Sequence, residues 1–215
     1  MFFWIECTIR MCFSRIFFIF AANLLCKDSK KMIERTHPLE KFRFCPVCGS
    51  EHFDGNSEKS KRCKDCGFEY FFNPSASTVA VICNRQNEVL VVERAKEPAK
   101  GTLDLPGGFA DLYETAEEGV LREVREETGL EVCVDRFLFT LPNIYPYSGL
   151  DIHTMDLFFL CRVTGGNIRA MDDAARAIWL PWERLRPEDF GLASIRKGIS
   201  RLMREGDTPM QLYAK

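Results

Sequence analysis

The sequence lacks an excess of either charge. Its 29 lysines and arginines nearly balance 31 aspartates and glutamates, so the formal net charge of the 215 residues is −2. A protein dedicated to nucleic-acid binding usually carries a basic surface, and this balance offers none. Four basic residues do fall within 57–64, but their setting is typical of a solvated loop. We therefore expect no nucleic-acid partner.

Long hydrophobic runs are also missing. The run Ile16–Cys26 has eleven residues, interrupted by Asn23, whereas a membrane-spanning helix needs about 17–25. We therefore expect no membrane partner. The run has a length that suits a signal peptide, but Leu25 stands where a small residue is expected before a cleavage site. Translation from Met32 is a third interpretation, and we favour it because the extension 1–31 matches neither module identified below.

Cysteine, by contrast, is abundant: four of the ten cysteines form two matching knuckles. Each knuckle reads Cys-x-x-Cys-Gly, and fourteen residues lie between the last cysteine of the first and the first cysteine of the second. This is the ligand spacing of a four-cysteine zinc ribbon, and it fits zinc better than the competing interpretation of disulfides. We expect a structural Zn²⁺ at Cys45, Cys48, Cys63 and Cys66, whose binding energy helps to fold the short segment 32–72. A thiolate site also favours a reducing compartment, so we expect a cytoplasmic protein.

An amphipathic helix is predicted between residues 116 and 128. Thr115 and Glu118 have the spacing of a capping box at its start, and Gly129 stands where a left-handed C-terminal cap belongs. The apolar stripe, which can pack on a sheet, consists of Ala116, Val120, Leu121 and Val124.

Three carboxylates of this helix, those of Glu123, Glu126 and Glu127, share a neighbouring face. Like charges at such spacings cost a helix about 0.2–0.5 kcal/mol per pair. A helix that keeps this repulsion without an evident compensating gain suggests a functional site. A solvated helix face is the competing interpretation. The loop Leu105–Gly108 favours a functional site over a solvated face, because glycines such as Gly107 let a backbone approach a ligand closely.

The chemistry of such a cluster follows from its oxygen ligands. Carboxylates and backbone carbonyls suit Mg²⁺ or Mn²⁺, and Mg²⁺ usually binds one or two carboxylates together with substrate phosphates. The expected substrate is therefore polyanionic. A bridging metal neutralises developing charge on phosphate oxygens and lowers the pKa of a bound water, which then attacks phosphorus in line. The predicted reaction is the hydrolysis of a diphosphate linkage.

Residues 108–130 resemble the signature of the Nudix hydrolases, with every fixed position filled. Gly108 is followed after five residues by Glu114, and after seven more by the segment 122–130, which reads Arg-Glu-Val-Arg-Glu-Glu-Thr-Gly-Leu. In this family the substrate is a nucleoside diphosphate linked to another moiety. The resemblance implies a metal-dependent pyrophosphohydrolase acting on a nucleotide such as NADH or ADP-ribose, on a related derivative, or on a triphosphate. Dimers are common in the family, so a homodimer is compatible with the resemblance.

The resemblance also implies roles for individual residues. The metal ligands would be the side chains of Glu123, Glu126 and Glu127 with the carbonyl of Gly108. Arg122 would orient a neighbouring carboxylate, and Glu114 would have a structural role behind the ligands. Family members differ in their general base, for which Glu123 is our choice. Asp172 and Asp173, in a later loop, are alternatives that equally fit a plain polar turn before a strand.

A zinc ribbon before this signature is similar to the arrangement in the NADH pyrophosphatase branch of the family. That branch carries SQPWPFPxS after the signature, whereas this chain reads Leu-Pro-Asn-Ile-Tyr-Pro-Tyr-Ser at 141–148. Only the combination of proline and aromatic residues is shared. Tyr145 and Tyr147 would either stack on a nucleobase or pack within a proline-containing loop. NADH is therefore one alternative substrate among several.

The remaining pattern predicts one α/β catalytic domain over residues 73–215. β-rich runs at 77–83 and 88–94 flank a polar turn, which is typical of a hairpin. Further strands are expected at 133–140, 152–163 and 177–180, and a last helix at about 193–205. Strands flanked by two helices indicate an α/β sandwich, and the Nudix resemblance implies a mixed sheet between the helices.

A binding module is the alternative function. Such a module would be a Nudix domain that senses a nucleotide, with the ribbon contacting a nucleic acid or a protein. The intact carboxylates argue against it, because a sensor need not keep an acidic metal cluster. Hydrolysis of a nucleotide is therefore the preferred hypothesis.

Overall fold

The computed structural model describes residues 37–204, and the expectations for the extension 1–31 concern residues outside this range. Residues 37–72, here called the ribbon, contain an antiparallel sheet in the order β1-β2-β3, formed by Phe53–Ser57, Ser60–Cys63 and Glu69–Phe71. Phe53 and Phe68 pack with two cysteine side chains in a small core of their own. Such a core stabilises little by itself.

Two further sheets and two helices form residues 73–204. Their elements are β4 (Ser75–Ile82), β5 (Glu88–Arg94), β6 (Leu103–Asp104), α1 (Ala116–Thr128), β7 (Leu130–Tyr147), β8 (Leu150–Gly166), β9 (Ala174–Pro181) and α2 (Ala193–Arg204). The sheet β4-β8-β7 is mixed, because β4 runs parallel to β8 and β7 antiparallel to it. The sheet β6-β5-β9 is antiparallel.

The two helices cover opposite faces of the strands. Val81 belongs to the core beneath α2, together with Ile199, whereas the next residue, Ile82, belongs to the core beneath α1, together with Val124. Successive residues of a strand point to opposite faces, so the sheets lie between the helices. The expected α/β sandwich with a mixed sheet is confirmed. Neither described helix is long and apolar enough to cross a membrane.

The predicted hairpin of β4 and β5 is wrong. The polar turn forms as expected, since the Asn84 side chain accepts hydrogen bonds from the amides of Gln86 and Glu88 at 2.9 and 3.0 Å. Beyond the single pair Cys83 and Val89, however, the strands separate into different sheets, where β4 pairs with β8 and β5 with β9. A turn signal specifies reversal of the chain. Pairing beyond the turn depends on partners that are distant in sequence.

The proline-containing segment 141–148 is mostly strand, and the predicted loop is another error. β7 continues to Tyr147, with Pro142 opposite Met155 and Pro146 opposite Asp151 on β8. β7 is the last strand of its sheet, and a proline is tolerated on an edge strand because its missing amide can face away from the neighbour. The tyrosines are therefore placed by a strand.

Candidate active site

Helix α1 begins and ends where its local sequence dictates. The Thr115 hydroxyl accepts a hydrogen bond from the Glu118 amide at 3.2 Å, and the Glu118 carboxylate accepts one from the Thr115 amide at 2.8 Å. Gly129, with φ 68°, forms the left-handed cap. Val120 and Val124 are fully buried against the sheet. Both predicted caps and the apolar stripe are confirmed.

The guanidinium of Arg122 joins the carboxylates around α1. It donates to both oxygens of Glu114 at 2.8 and 3.1 Å, and to the Phe109 carbonyl at 3.1 Å. One nitrogen also donates to Glu123 at 2.9 Å and to Glu126 at 3.0 Å. These bonds raise the pKa of Arg122 and hold the pKa of Glu114 at about 2. A single cation therefore offsets part of the repulsion among the acids.

The glycine loop that follows β6 lies along the free edge of β4. The Pro106 carbonyl accepts a hydrogen bond from the Ala80 amide at 2.8 Å, and the Gly108 carbonyl accepts one from the Thr78 amide at 2.7 Å. A Cβ atom added to Gly107, whose φ is +150°, would lie 2.0 Å from the Thr78 carbonyl oxygen. Only glycine permits this approach.

Two carboxylates of α1 face this loop. Glu127, 8% exposed, accepts a hydrogen bond from the Gly107 amide at 3.1 Å. Burial raises the pKa of Glu127 to about 8, and the bond to Gly107 offsets only part of that rise. Burial also raises the pKa of Glu123. A Cβ atom on Gly108 would lie 2.6 Å from the carboxyl carbon of Glu123, so loop and helix are in close contact.

The later acidic loop is tied to the same helix. The Met171 amide donates to the carbonyl of Glu127 at 3.0 Å, which brings Asp172 and Asp173 to the wall of the same cleft. Asp173 also forms an ion pair with Lys96. The structure thus places these aspartates beside the helix acids, and their role as a base stays a prediction.

These groups surround a cleft of about 280 Å³. This is near the lower end of ligand sites, which span roughly 300–1,000 Å³. The predicted residues that line it are Gly107, Gly108, Glu123, Glu126, Glu127, Tyr145, Asp172 and Asp173. Arg122 and Glu114 stand behind the glutamates, and Tyr147, 64% exposed, does not line the cleft.

A buried ion pair in the cleft was missed by the sequence analysis. Arg94 donates to Asp104 at 2.6 Å and to the Tyr145 hydroxyl at 3.1 Å. Burial raises the pKa of Asp104 to about 6, against the lowering effect of Arg94. Phe109 packs edge-on against Tyr145, with ring centroids 5.6 Å apart. An aspartate between two leucines just before the glycine loop was the available signal for Asp104.

The four knuckle cysteines form a second cluster. Their sulfurs all lie within 4.8 Å of one another. Cys45 is 3.6 Å from Cys66, and Cys48 is 3.6 Å from Cys63, measured between sulfurs. A tetrahedral zinc with Zn–S bonds of about 2.3 Å requires sulfurs about 3.8 Å apart. The donor set and its dimensions therefore fit zinc.

The two knuckles have matching backbones. The Gly49 amide donates to the Cys45 carbonyl at 2.9 Å, and the Gly67 amide donates to the Cys63 carbonyl at 3.0 Å. Both glycines have φ near +75°, at 73° and 77°. The backbone amide of Cys66 is the main group that lowers the pKa of Cys63, to about 6. Cysteine binds a metal as the thiolate, which a lowered pKa favours.

A comparison with protein-family models matches residues 73–202 to the NUDIX domain. The chain belongs to the NUDIX family. The matched region includes every strand from β4 to β9 and nearly all of α2.

Among curated NUDIX relatives, the ADP-ribose pyrophosphatase of Methanocaldococcus jannaschii is 31% identical over 194 residues, which are 89% of this chain and 96% of that protein. The NAD-capped RNA hydrolase NudC of Vibrio vulnificus is 27% identical over 158 residues, but the match spans only 58% of its length. A solved NUDIX hydrolase from Nitrosomonas europaea superimposes with a TM-score of 0.62 at 21% identity, over 78% of this chain and 94% of that one. This last likeness shows the fold.

The acidic face of the NUDIX domain fits a hard divalent cation. Glu127 is a buried carboxylate with one hydrogen bond, and Glu123 and Glu126 lie beside it along the cleft. The Gly108 carbonyl accepts a hydrogen bond from the Thr78 amide at 2.7 Å and a longer one from the Thr78 hydroxyl at 3.4 Å, which a metal ion could displace. All four groups are oxygen donors of the kind that Mg²⁺ and Mn²⁺ prefer.

Alanine at the two loop glycines should separate the site from the fold. In Gly108→Ala the added methyl meets the flexible end of Glu123. We therefore expect the free energy of unfolding to stay at the wild-type value and Mg²⁺ to bind at least tenfold more weakly. In Gly107→Ala the methyl meets the backbone of Thr78, so we expect the free energy of unfolding to fall by about 1–3 kcal/mol. Thermal unfolding and Mg²⁺ titration measure both effects.

Gly101→Ala, with φ +80° and open space around it, is the control for backbone strain alone. Unchanged Mg²⁺ binding in Gly108→Ala would contradict the close contact between loop and carboxylate.

Replacing Glu114 by glutamine tests the pairing with Arg122. Because pairing lowers the pKa of Glu114 in the folded state from 4.5 to about 2, its stabilising effect is complete above pH 4.5 and is lost as the pH falls towards 2. We expect Glu114→Gln to unfold at lower urea concentration than wild type at pH 7, with the difference shrinking below pH 4.5. Glu117→Gln, an exposed neighbour in the first turn, should show no such pH dependence. A difference that grows on acidification would refute the pairing.

Proposed function

We propose that this NUDIX protein is a metal-dependent pyrophosphohydrolase that cleaves the diphosphate linkage of a nucleoside diphosphate derivative, with ADP-ribose the first substrate to test. The observation that carries the proposal is the contact of Glu123 and Glu127 with the glycine loop inside one cleft. ADP-ribose comes first because the chain matches 96% of a pyrophosphatase named for it. NADH remains in the panel because a four-cysteine ribbon before the signature is similar to the arrangement in the NADH pyrophosphatase branch.

The proposed metal ligands are the carboxylates of Glu123, Glu126 and Glu127, with the Gly108 carbonyl. Bound Mg²⁺ or Mn²⁺ would supply charge neutralisation at the phosphates and a more acidic water. Glu126 is half exposed at the cleft entrance, with 47% of its side chain accessible, so phosphates can reach it from solvent. The buried Glu127 lies deeper, where its charge requires a partner.

The protein's own groups would position the reaction. Arg122 fixes Glu123 and Glu126 through one nitrogen, which sets the spacing of the two acids. Glu123, partly buried and with a raised pKa, is the proposed base. It takes a proton from the attacking water as the new P–O bond forms and the bridging P–O bond breaks. The departing phosphate leaves with the bridging oxygen. Asp172 and Asp173 are the alternatives for the proton, since both line the cleft.

The cysteine cluster is the proposed site of a structural zinc. All four positions are filled by thiol ligands, so no coordination position remains for catalysis. We take residues 32–72 as the zinc unit and residues 73–215 as the catalytic unit. The ribbon reaches the catalytic unit through an edge-on contact of Phe72 with His153, with ring centroids 5.9 Å apart.

Loss of single carboxylates should abolish turnover without unfolding. With ADP-ribose and Mg²⁺, we expect Glu123→Gln and Glu126→Gln to lower kcat about 100-fold or more, because each removes an ionised group from the cleft. Release of AMP and ribose 5-phosphate, read by mass spectrometry in ¹⁸O-labelled water, measures turnover and identifies the attacked phosphorus. Glu117→Gln lies on the same helix outside the cleft and should match wild type.

The same experiment distinguishes an enzyme from a sensor. Wild-type protein that binds nucleotides but hydrolyses none in a panel of ADP-ribose, NADH, other dinucleotides and nucleoside triphosphates would contradict the proposal. In that case neither the wild type nor Glu126→Gln would hydrolyse any nucleotide of the panel.

Metal content tests the zinc proposal. We expect about one zinc per wild-type chain and none in Cys63→Ser, because four thiolates are needed to close the site. Limited proteolysis should then cut within the ribbon of Cys63→Ser, whose core is too small to persist without metal. Cys133→Ser, a cysteine on β7 outside the cluster, should keep its zinc and its resistance. Zinc-free wild type, or zinc retained in Cys63→Ser, would refute the assignment.

A further inference from the structure

One face of the sheet β4-β8-β7 changes from apolar to polar along its strands. Where α2 covers it, this face is apolar, with Val81, Phe158 and Phe139 in one core with the helix. Beyond the start of α2 the same face continues, and the side chains that line the cleft there become polar. They are Ser77 on β4, Thr154 and Asp156 on β8, and Asn143 on β7. Buried strand positions are normally apolar, so this break marks a site for a ligand with polar groups.

Asn143 is the most informative of these residues. It is 8% exposed and lines the cleft. Its side-chain amide forms no hydrogen bond within the described range 37–204. Among the described residues, the amide atoms of Asn143 do not belong to the buried atoms that lack partners, so a molecule in the cleft can reach them. The amide is therefore available to form hydrogen bonds with a ligand in the cleft.

Neighbouring residues add acceptors to the same end of the cleft. Thr154 stands directly opposite Asn143 in the β7–β8 ladder and donates its hydroxyl hydrogen to Asp156 at 2.6 Å. Thr154 and Asp156 are 4% and 3% exposed. The proposed reaction does not use any of these three side chains.

Apolar side chains also line the cleft, together with the ion pair of Arg94 and Asp104. These apolar residues are Val79, Leu105 and Ile195, and the edge-on pair of Phe109 and Tyr145 adds two aromatic rings to the lining. Apolar and aromatic walls with a few fixed polar groups are typical of pockets for planar heterocycles. Phosphates, in contrast, belong with the cation site along α1.

We propose that this end of the cleft is the nucleobase subsite, in which the Asn143 amide recognises a paired donor and acceptor on the edge of the base. An asparagine amide offers one N–H donor and one C=O acceptor side by side, which matches such an edge. The proposal rests on the proposed function only in taking the ligand to be a nucleotide. It assigns base recognition to β7 and β8, whereas the proposed metal ligands belong to α1 and the glycine loop.

Binding of non-hydrolysable fragments tests the subsite separately from turnover. Titration calorimetry with AMP, GMP, CMP, UMP and ribose 5-phosphate, all with Mg²⁺, isolates the contribution of the base. In wild type we expect at least one nucleotide to bind tenfold or more tightly than ribose 5-phosphate. In Asn143→Leu and in the smaller Asn143→Ala we expect this advantage to fall about 10- to 100-fold, with ribose 5-phosphate unchanged.

Ile144→Ala is the matched control, because Ile144 is the next residue on β7 and is 48% exposed on the other side of the strand. It should keep the wild-type preference. Three results would overturn the subsite: no nucleotide advantage in wild type, an advantage that survives in both Asn143 variants, or equal weakening of nucleotide and ribose 5-phosphate. Selective binding by a protein that hydrolyses nothing would preserve the subsite and refute the enzyme.

Discussion

The close approach of the glycine loop to β4 is the constraint on which the site depends. Gly107 lies so near the Thr78 carbonyl that no side chain fits between them, and the carbonyls on either side of Gly107 accept amide hydrogens from β4. The loop is therefore fixed to the sheet by its backbone. Helix α1 is fixed to the same sheet by its apolar stripe. Because both elements share one support, Glu127 meets the Gly107 amide and Glu123 meets Gly108.

This arrangement concentrates negative charge where burial opposes it. Burial raises the pKa values of Glu123 and Glu127, whereas pairing with Arg122 lowers that of Glu114. The two groups of acids thus differ in their demand for a cation. Glu114 already has one, and Glu127 has only the Gly107 amide. A divalent ion with substrate phosphates is the partner that such a cluster favours.

The long hairpin of β7 and β8 connects three parts of the molecule. Its tip contacts the ribbon, through Lys41 with the Gly149 carbonyl and through Phe72 with His153. Its middle contributes Asn143 and Thr154 to the cleft, and its base belongs to the core under both helices. The ribbon therefore supports the strand segments that form the wall of the cleft, at a distance from the acids of α1.

Local sequence determined the parts of this protein that are contiguous in the chain. The caps of α1, its acidic face and the two cysteine knuckles each lie within a few residues, where hydrogen bonds between near neighbours and the 3.6-residue helical period decide the structure. Tertiary structure alone decided which strands became neighbours. It separated β4 from β5 after one residue pair, and it made an edge strand of a segment whose prolines suggested a loop. Tertiary structure also brought Arg94, Asp104, Asn143 and Asp156 together from four strands, since contacts between distant segments depend on long-range packing that no short pattern records.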